Sequence, residues 1–275
     1  MKALLSFAVA LALVTTLRAE TLSIVAAENF YGDVAAQIAG PSARVTSVLN
    51  NPNQDPHDFQ VDAATARKIA DADIVIYNGI DYDHWVERLL GVDGNKNRIA
   101  INVAELIGAK DGDNPHLWYN PKTIPALAEK LGEVLKNPDG AKVFIDSLKP
   151  LMEKIVELKA KTTGVKVTAT EPVFEYMAEA LGFDMLNADY QLAVMNDTDP
   201  SFEQTAGFEN SLKDKTVKIL FYNNQVADPS TTRMLEIAKA NDVSVVGVTE
   251  TQPPDQKTYL SWMLSQLDAI ATCLK

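Results

Sequence analysis

The sequence predicts an α/β protein with two lobes, each a mostly parallel sheet flanked by helices, joined by a single long rigid helix. Short apolar runs rich in β-branched residues alternate with segments whose apolar residues recur at helical spacing. This alternation is typical of parallel sheets that helices cover on both faces. It occurs twice along the chain, and a longer helical stretch separates the two sets.

The predicted elements divide into two similar sets. The first set comprises strands at 22–27, 45–49, 74–77 and 98–101, with helices at 30–38, 63–72 and 84–90. The second set comprises strands at 165–169, 217–221 and 243–248, with helices at 172–181, 202–212, 231–240 and 259–274. The two halves are therefore expected to share one class of architecture.

The stretch between the two sets is the predicted joint. Asn120-Pro121 suits the start of a first helix, and the segment Asn137-Pro138-Asp139-Gly140 should end it. Apolar positions then recur at helical spacing over 141–161, and Pro150 should kink this second helix or mark its restart. Such a helix is either a stiff strut between the lobes or an ordinary helix docked on one of them.

Residues 1–19 have the features of a secretory signal peptide. Lys2 supplies a positive charge, 3–17 form an apolar run, and Ala19 is a small residue at a suitable cleavage point. The run is too short for a convincing membrane span. The one cysteine, Cys273, lies far from the cleavage point. We therefore expect a free periplasmic protein without a membrane anchor of its own or an intramolecular disulfide.

The remaining length exceeds one ordinary hydrophobic core and indicates two domains. We expect an N-terminal lobe at 20–138, a linking helix at 139–162 and a C-terminal lobe at 163–275. The net charge of −12 argues against nucleic acid as a partner and weakly favours cations. We expect the protein to be a monomer.

Two of the three histidines occur in near-copies of one motif. His57 lies in Asp55-Pro56-His57-Asp58-Phe59, and His116 lies in Asn114-Pro115-His116-Leu117-Trp118. Proline fixes its own φ and restricts the residue before it, so each imidazole sits on a stiff loop. The repeated motif favours metal binding, although a single Pro-His pair would also suit a surface turn.

Four candidate metal ligands follow predicted strands, where open parallel sheets bind their ligands. His57 and His116 come from the first half, whereas Glu171 and Glu250 directly follow strands of the second half. Together the four residues would supply nitrogen and oxygen donors and no thiolate, which can fill the coordination shell of a divalent ion. Each glutamate has a second interpretation, since Glu171 would suit the first turn of a helix and Glu250 a solvated loop.

Other residues have predicted supporting roles. Asn223, Asn224 and Gln225 follow a strand at the same edge, where they would either orient the ligands or begin a polar loop. Trp118 and Tyr176 are expected to pack around the site without contacting the ion.

The motifs together resemble the solute-binding receptors of zinc and manganese ABC importers. The resemblance rests on both Pro-His motifs, on 167–171 with Phe174, Tyr176 and Gly182, and on Asn78-Gly79 with Asp83 and Trp85. It extends over nearly all of the chain after the predicted signal peptide. It implies two α/β lobes joined by one long helix, with the metal buried where the lobes meet.

The resemblance also implies the ligand set. The third ligand is histidine in zinc receptors and often glutamate in manganese or iron receptors, and this chain has Glu171. The fourth is a carboxylate, placed here at Glu250 with Asp255 as the alternative. The segment 103–115 contains no histidine, so the histidine-rich loop of many zinc receptors is absent. His84 matches a helix position that is not a ligand.

The expected function is extracytoplasmic capture of Mn²⁺ or Fe²⁺, with Zn²⁺ next, and delivery to the membrane permease of an ABC importer. Two carboxylates suit Mn²⁺ or Fe²⁺ better than a three-histidine set does. One alternative is a secreted metallohydrolase, which needs an open coordination position and a base. Another is an adhesin or receptor for an organic ligand, which needs a sizeable aromatic pocket. We expect no enzymatic activity.

Overall fold

The structure is a computed structural model that describes residues 21–51, 56, 59–196, 198–226 and 228–274.

The first lobe is built on a parallel sheet. The strands of the first lobe are β1 (Leu22–Glu28), β2 (Ala43–Leu49), β3 (Ile74–Tyr77) and β4 (Ile99–Asn102), in the order β2-β1-β3-β4. Its helices are α1 (Asn29–Ala39), α2 (Ala63–Ala70), α3 (His84–Asp93), α4 (Val103–Ile107) and α5 (Thr123–Val134).

Strand β1 shows why this sheet is buried on both faces. Ile24 and Ala26 pack into one apolar cluster, and the alternate residues Val25 and Ala27 pack into another. Successive side chains of a strand point to opposite faces, so a central strand covered on both faces reads as a continuous apolar run. The predicted strand at 22–27 had this pattern.

The connection between the lobes contains two helices, α6 (Pro138–Ser147) and α7 (Lys149–Thr162). Of the two outcomes predicted for Pro150, a kink or a restart, the structure shows the restart, so the linking helix predicted at 139–162 is divided in two. Pro150 lies in the first turn of α7, where its missing N–H is tolerated, so the helix restarts after Leu148. Helix α6 packs on α1 and α5 of the first lobe, and α7 packs on the last helix of the second lobe.

The second lobe repeats the topology of the first. Its strands are β5 (Lys166–Ala169), β6 (Asp184–Leu186), β7 (Ile219–Asn223) and β8 (Ser244–Val248), in the order β6-β5-β7-β8. Its helices are α8 (Glu175–Ala180), α9 (Ala188–Met195), α10 (Phe202–Lys213), α11 (Pro229–Ala240) and α12 (Tyr259–Cys273). All strand pairs described in both sheets are parallel, which confirms the predicted fold class.

The lobes share one apolar core. A single buried cluster includes Phe30 and Trp118 from the first half of the chain and Phe174 and Trp262 from the second half. The Tyr259 hydroxyl also donates a hydrogen bond of 2.7 Å to the Trp118 carbonyl. The carboxyl ends of the two sheets therefore meet at a packed interface. In the described part of the chain, no helix has the length and apolar character needed to span a membrane.

Candidate metal centre

His116 is held by Asn114 from its own loop. The Asn114 amide oxygen lies 2.6 Å from His116 Nδ1 and accepts the His116 backbone N–H at 3.0 Å. The Asn114 amide nitrogen donates to the Pro172 carbonyl and to Glu175 Oε2, both at 2.7 Å, which fixes the orientation of the amide. An oxygen facing Nδ1 requires the imidazole proton there, so the lone pair of neutral His116 lies on Nε2.

Glu250 follows β8 and is fully buried. Asn223 Nδ2 donates to its Oε1 at 2.6 Å, and the Tyr82 hydroxyl donates to its Oε2 at 2.9 Å. Gln225 Oε1 accepts the backbone N–H groups of Glu250 and Thr251 at 2.7 and 2.9 Å. Burial, and then the charge of Glu250, raise the pKa of Tyr82 well above its ordinary value, so its hydroxyl keeps the proton that it donates.

His116 and Glu250 meet across the lobe interface. His116 Nε2 lies 3.6 Å from Glu250 Oε2, and neither side chain is exposed to solvent. This separation is too long for a direct hydrogen bond. A nitrogen donor of one lobe thus lies beside a carboxylate of the other.

Glu171 lies two residues after the end of β5 and is buried. Its backbone is extended, and a 3₁₀ helix (Pro172–Phe174) begins immediately after it. The predicted ligand His57 lies outside the described residues. Among the residues that are described, no three His, Cys, Asp or Glu side chains form a cluster that could hold a metal ion.

The structure also places the remaining candidates. His84 and Asp255 are exposed, so Glu250 and not the alternative Asp255 faces His116. Of the three polar residues after β7, Asn223 and Gln225 contact Glu250, whereas Asn224 is exposed.

The aromatic residues pack as predicted. Trp118 is fully buried, with its ring edge-on to His116 at a centroid distance of 5.3 Å. The Tyr176 hydroxyl donates to the Asn114 carbonyl at 2.9 Å and so supports the loop that carries His116.

Sequence reasoning missed three residues of this region, Glu28, Tyr82 and Asn114. Glu28 ends β1, so the strand-end argument that found Glu250 could have found it. Asn114 stands two residues before His116, a spacing at which an Asn side chain reaches the backbone. No sequence signal points to Tyr82, because its contact with Glu250 depends on how the lobes meet.

Known proteins resemble this chain over most of its length. The manganese-binding lipoprotein MntA of Bacillus subtilis is 25% identical, with 93% of this chain and 90% of that protein covered. The manganese ABC transporter substrate-binding lipoprotein PsaA of Streptococcus pneumoniae is 24% identical, with the same coverage of 93% and 90%. A solved Mn-bound periplasmic metal-binding protein from candidatus liberibacter asiaticus superposes with a TM-score of 0.72 at 21% identity, over 92% of this chain and 100% of that one.

A family model described as the periplasmic component A of the zinc-uptake complex matches residues 24–273. The match covers almost all of the described chain, and the fold agrees with that of the superposed structure. The chain therefore belongs to this family, whose members are metal-binding receptors of ABC importers and not enzymes.

Proposed function

We propose that this protein captures Mn²⁺ or Fe²⁺ in the periplasm, with Zn²⁺ as the next candidate, and delivers it to the permease of an ABC importer. The proposed ligands are His57, His116, Glu171 and Glu250. They would supply two neutral imidazoles and two carboxylates from the edges of the two parallel sheets.

The observation that carries the proposal is the approach of His116 to Glu250. Two donors that bind one ion at about 2.0–2.2 Å lie roughly 3.0–3.5 Å from each other. The separation of 3.6 Å between His116 Nε2 and Glu250 Oε2 is close to this value. Because Nδ1 of His116 is turned towards Asn114, its metal-binding nitrogen faces the carboxylate.

Glu171 supports the preference for Mn²⁺ or Fe²⁺. A second carboxylate provides a hard, charged oxygen, which Mn²⁺ favours more than Zn²⁺ does. The MntA and PsaA relatives are named as manganese proteins, which agrees with this preference. Raw affinity nevertheless rises from Mn²⁺ towards Zn²⁺ in such sites, so Zn²⁺ should also bind tightly.

The proposal also covers the location of the protein, its oligomeric state and the bounds of its lobes. A signal peptide cleaved near Ala19 would release a monomeric receptor without an anchor of its own, although the named relatives are lipoproteins. The lobes would span 20–138 and 163–275, with 139–162 between them. Mass measurement of the mature protein and fractionation of cells test the cleavage and the location.

Metal analysis tests the central proposal. Protein purified without a chelator should contain about one divalent metal ion per chain, and calorimetry on chelator-treated protein should restore binding of Mn²⁺ and Zn²⁺. His116→Ala should abolish most of this binding, whereas His84→Ala should leave it intact because His84 is exposed. Equal binding by both variants would contradict the proposed site.

A further inference from the structure

The Asn114 amide forms hydrogen bonds with both lobes. In its own lobe, Oδ1 accepts the His116 backbone N–H at 3.0 Å and lies 2.6 Å from His116 Nδ1. Across the lobe interface, Nδ2 donates to the Pro172 carbonyl and to Glu175 Oε2, both at 2.7 Å. A primary amide has two hydrogens and two lone pairs, so these contacts use all of its hydrogen-bonding positions.

Two backbone groups determine which way this amide faces. The His116 N–H can only donate and the Pro172 carbonyl can only accept, so exchanging Oδ1 and Nδ2 of Asn114 would break both contacts. The amide oxygen therefore faces the imidazole, which requires a proton on Nδ1 and leaves the lone pair on Nε2. His116 Nε2 is the nitrogen that faces Glu250.

Glu175 accepts the second hydrogen of the amide. It is the first residue of α8, and its carboxylate makes a charge-assisted hydrogen bond, which is stronger than one between neutral groups. Hydrogen bonds in a chain polarise one another, so an anionic acceptor at Asn114 Nδ2 makes Oδ1 a better acceptor for the imidazole proton. Glu175 thus acts on His116 through Asn114, as a carboxylate that contacts a ligating histidine acts directly at other metal sites.

The segment that carries these acceptors also carries the candidate ligand Glu171. Pro172 follows Glu171 directly, and Glu175 follows the 3₁₀ helix that begins at Pro172. The Tyr176 hydroxyl adds a bond of 2.9 Å to the Asn114 carbonyl. The loop that carries the imidazole of the first lobe is therefore attached at three points to the segment that follows Glu171. These contacts hold one candidate ligand of each lobe in place relative to the other.

A second interpretation is that Glu175 only favours the start of α8. An acidic side chain in the first turn interacts favourably with the positive end of the helix dipole. This effect does not involve Asn114, so removal of Glu175 would then lower stability without changing metal affinity. The hydrogen bond of 2.7 Å across the lobe interface favours a positioning role instead.

We propose that Glu175 is a positioning residue for the metal site, which acts from the second lobe through Asn114 to turn His116 Nε2 towards the ion. Because Glu175 and the imidazole belong to different lobes, this orientation is complete only when the lobes are in contact. The proposal rests on the proposed function, since it concerns the same site. It assigns no contact between Glu175 and the ion.

The first experiment measures Mn²⁺ binding by Glu175→Ala with calorimetry. Loss of the acceptor should weaken binding by about tenfold, the lower end of the range for supporting groups at metal sites. Glu179→Ala is the matched control and should bind as wild type does, because Glu179 lies one turn later on α8 and is exposed. Wild-type affinity in Glu175→Ala would overturn the proposal. Equal weakening in both variants would also overturn it, because the effect would then come from negative charge on α8 in general.

A charge exchange between the two partners separates positioning from helix stability. Asn114→Asp leaves no donor to face Glu175, and Glu175→Lys leaves no acceptor to face Asn114, so each should weaken Mn²⁺ binding by about tenfold. The double variant places an ammonium donor opposite a carboxylate acceptor and should bind within about threefold of wild type. A double variant that binds no better than the single variants would show that the two side chains do not act together, and the proposal would fail.

A readout without metal distinguishes this proposal from the proposed function. Wild-type protein that binds no metal would overturn the proposed function. Nitrogen-15 NMR of metal-free protein at about pH 8, where histidine is neutral, should show the His116 proton on Nδ1, with His116→Ala identifying the signal. A proton on Nε2 would overturn the positioning role even in a protein that binds metal, because the Asn114 amide would then not orient the imidazole.

Discussion

Two buried carboxylates of the second lobe differ in the groups that hold them. Glu209 on α10 accepts hydrogen bonds from Arg233 Nε and Lys213 Nζ, both at 2.6 Å. Glu250, after β8, accepts from the Asn223 amide and the Tyr82 hydroxyl, which are neutral donors. The charge of Glu209 is therefore balanced within the protein, whereas these two donors orient Glu250 without neutralising it.

This difference separates a carboxylate that joins two helices from one that can bind a cation. Arg233 lies on α11, so its pairing with Glu209 connects α10 to α11. The donors of Glu250 come instead from both lobes and converge at their interface. Under the proposed function, the ion supplies at Glu250 the positive charge that Arg233 and Lys213 supply at Glu209.

The largest expected effect follows from removing the negative charge of Glu250, compared with removing that of Glu209. Metal at a thousandfold excess over its dissociation constant should stabilise wild type by about 4 kcal/mol, because it binds only the folded protein. Glu250→Gln should lose most of this stabilisation, whereas Glu209→Gln should keep it despite a lower starting stability. Thermal unfolding with and without Mn²⁺ measures both. A full metal-induced shift in Glu250→Gln would remove Glu250 from the site.

The next effect concerns Glu171, the residue that distinguishes this chain from three-histidine sites. Glu171→His replaces a hard anionic oxygen with a neutral nitrogen, so Mn²⁺ affinity should fall at least tenfold more than Zn²⁺ affinity. Glu171→Gln removes the charge and should weaken both ions. Competition calorimetry measures the ratio. If neither variant changes affinity or ratio, Glu171 only begins the 3₁₀ helix, and the preference for Mn²⁺ or Fe²⁺ has no support.

A smaller effect is expected where Glu250 is oriented by a neutral donor. Asn223→Ala removes the hydrogen bond to Glu250 Oε1 and should lower metal affinity by about 10- to 100-fold. Asn224→Ala is the matched control, because Asn224 is adjacent and exposed. Equal affinities in the two variants would show that Glu250 does not need this amide.

The alternation of strands and helices could be predicted from the sequence, because the spacing of apolar residues directly reflects which face of each element is buried. The sequence placed His116 and Glu250 each beyond the carboxyl ends of the strands of its own sheet, where open parallel sheets bind their ligands. It missed β6, a strand of three residues that begins with Asp184, since so short a segment carries no periodicity. It also missed α4 (Val103–Ile107) and α9 (Ala188–Met195).

Contacts between the lobes are beyond pattern reasoning. The contact of Tyr82 with Glu250 joins residues that are 168 positions apart. It depends on the left-handed turn at 79–81, in which Ile80 and Asp81 are not residues that signal positive φ as glycine does. The identities of the ligand candidates could be read from motifs, whereas the groups that orient them required the packed interface.

The smallest expected effect concerns Glu209, the carboxylate that is paired with Arg233 and Lys213. Its pKa is lowered to about 2 by the hydrogen bonds from Arg233 and Lys213. A lowered pKa means that this pairing stabilises the fold above the pKa of the unfolded side chain, about 4.3, and that the stabilisation is lost as pH falls towards 2. The Arg233 side chain is largely exposed, so solvent screens the pairing and its contribution to stability should be small. Arg233→Ala should therefore be slightly less stable than wild type in urea at pH 7, and the difference should shrink near pH 3.

The metal affinity of Arg233→Ala should equal that of wild type, since Arg233 neutralises a carboxylate that takes no part in the proposed site. A loss of affinity in Arg233→Ala would mean that the two carboxylates are not independent, and the comparison between them would fail.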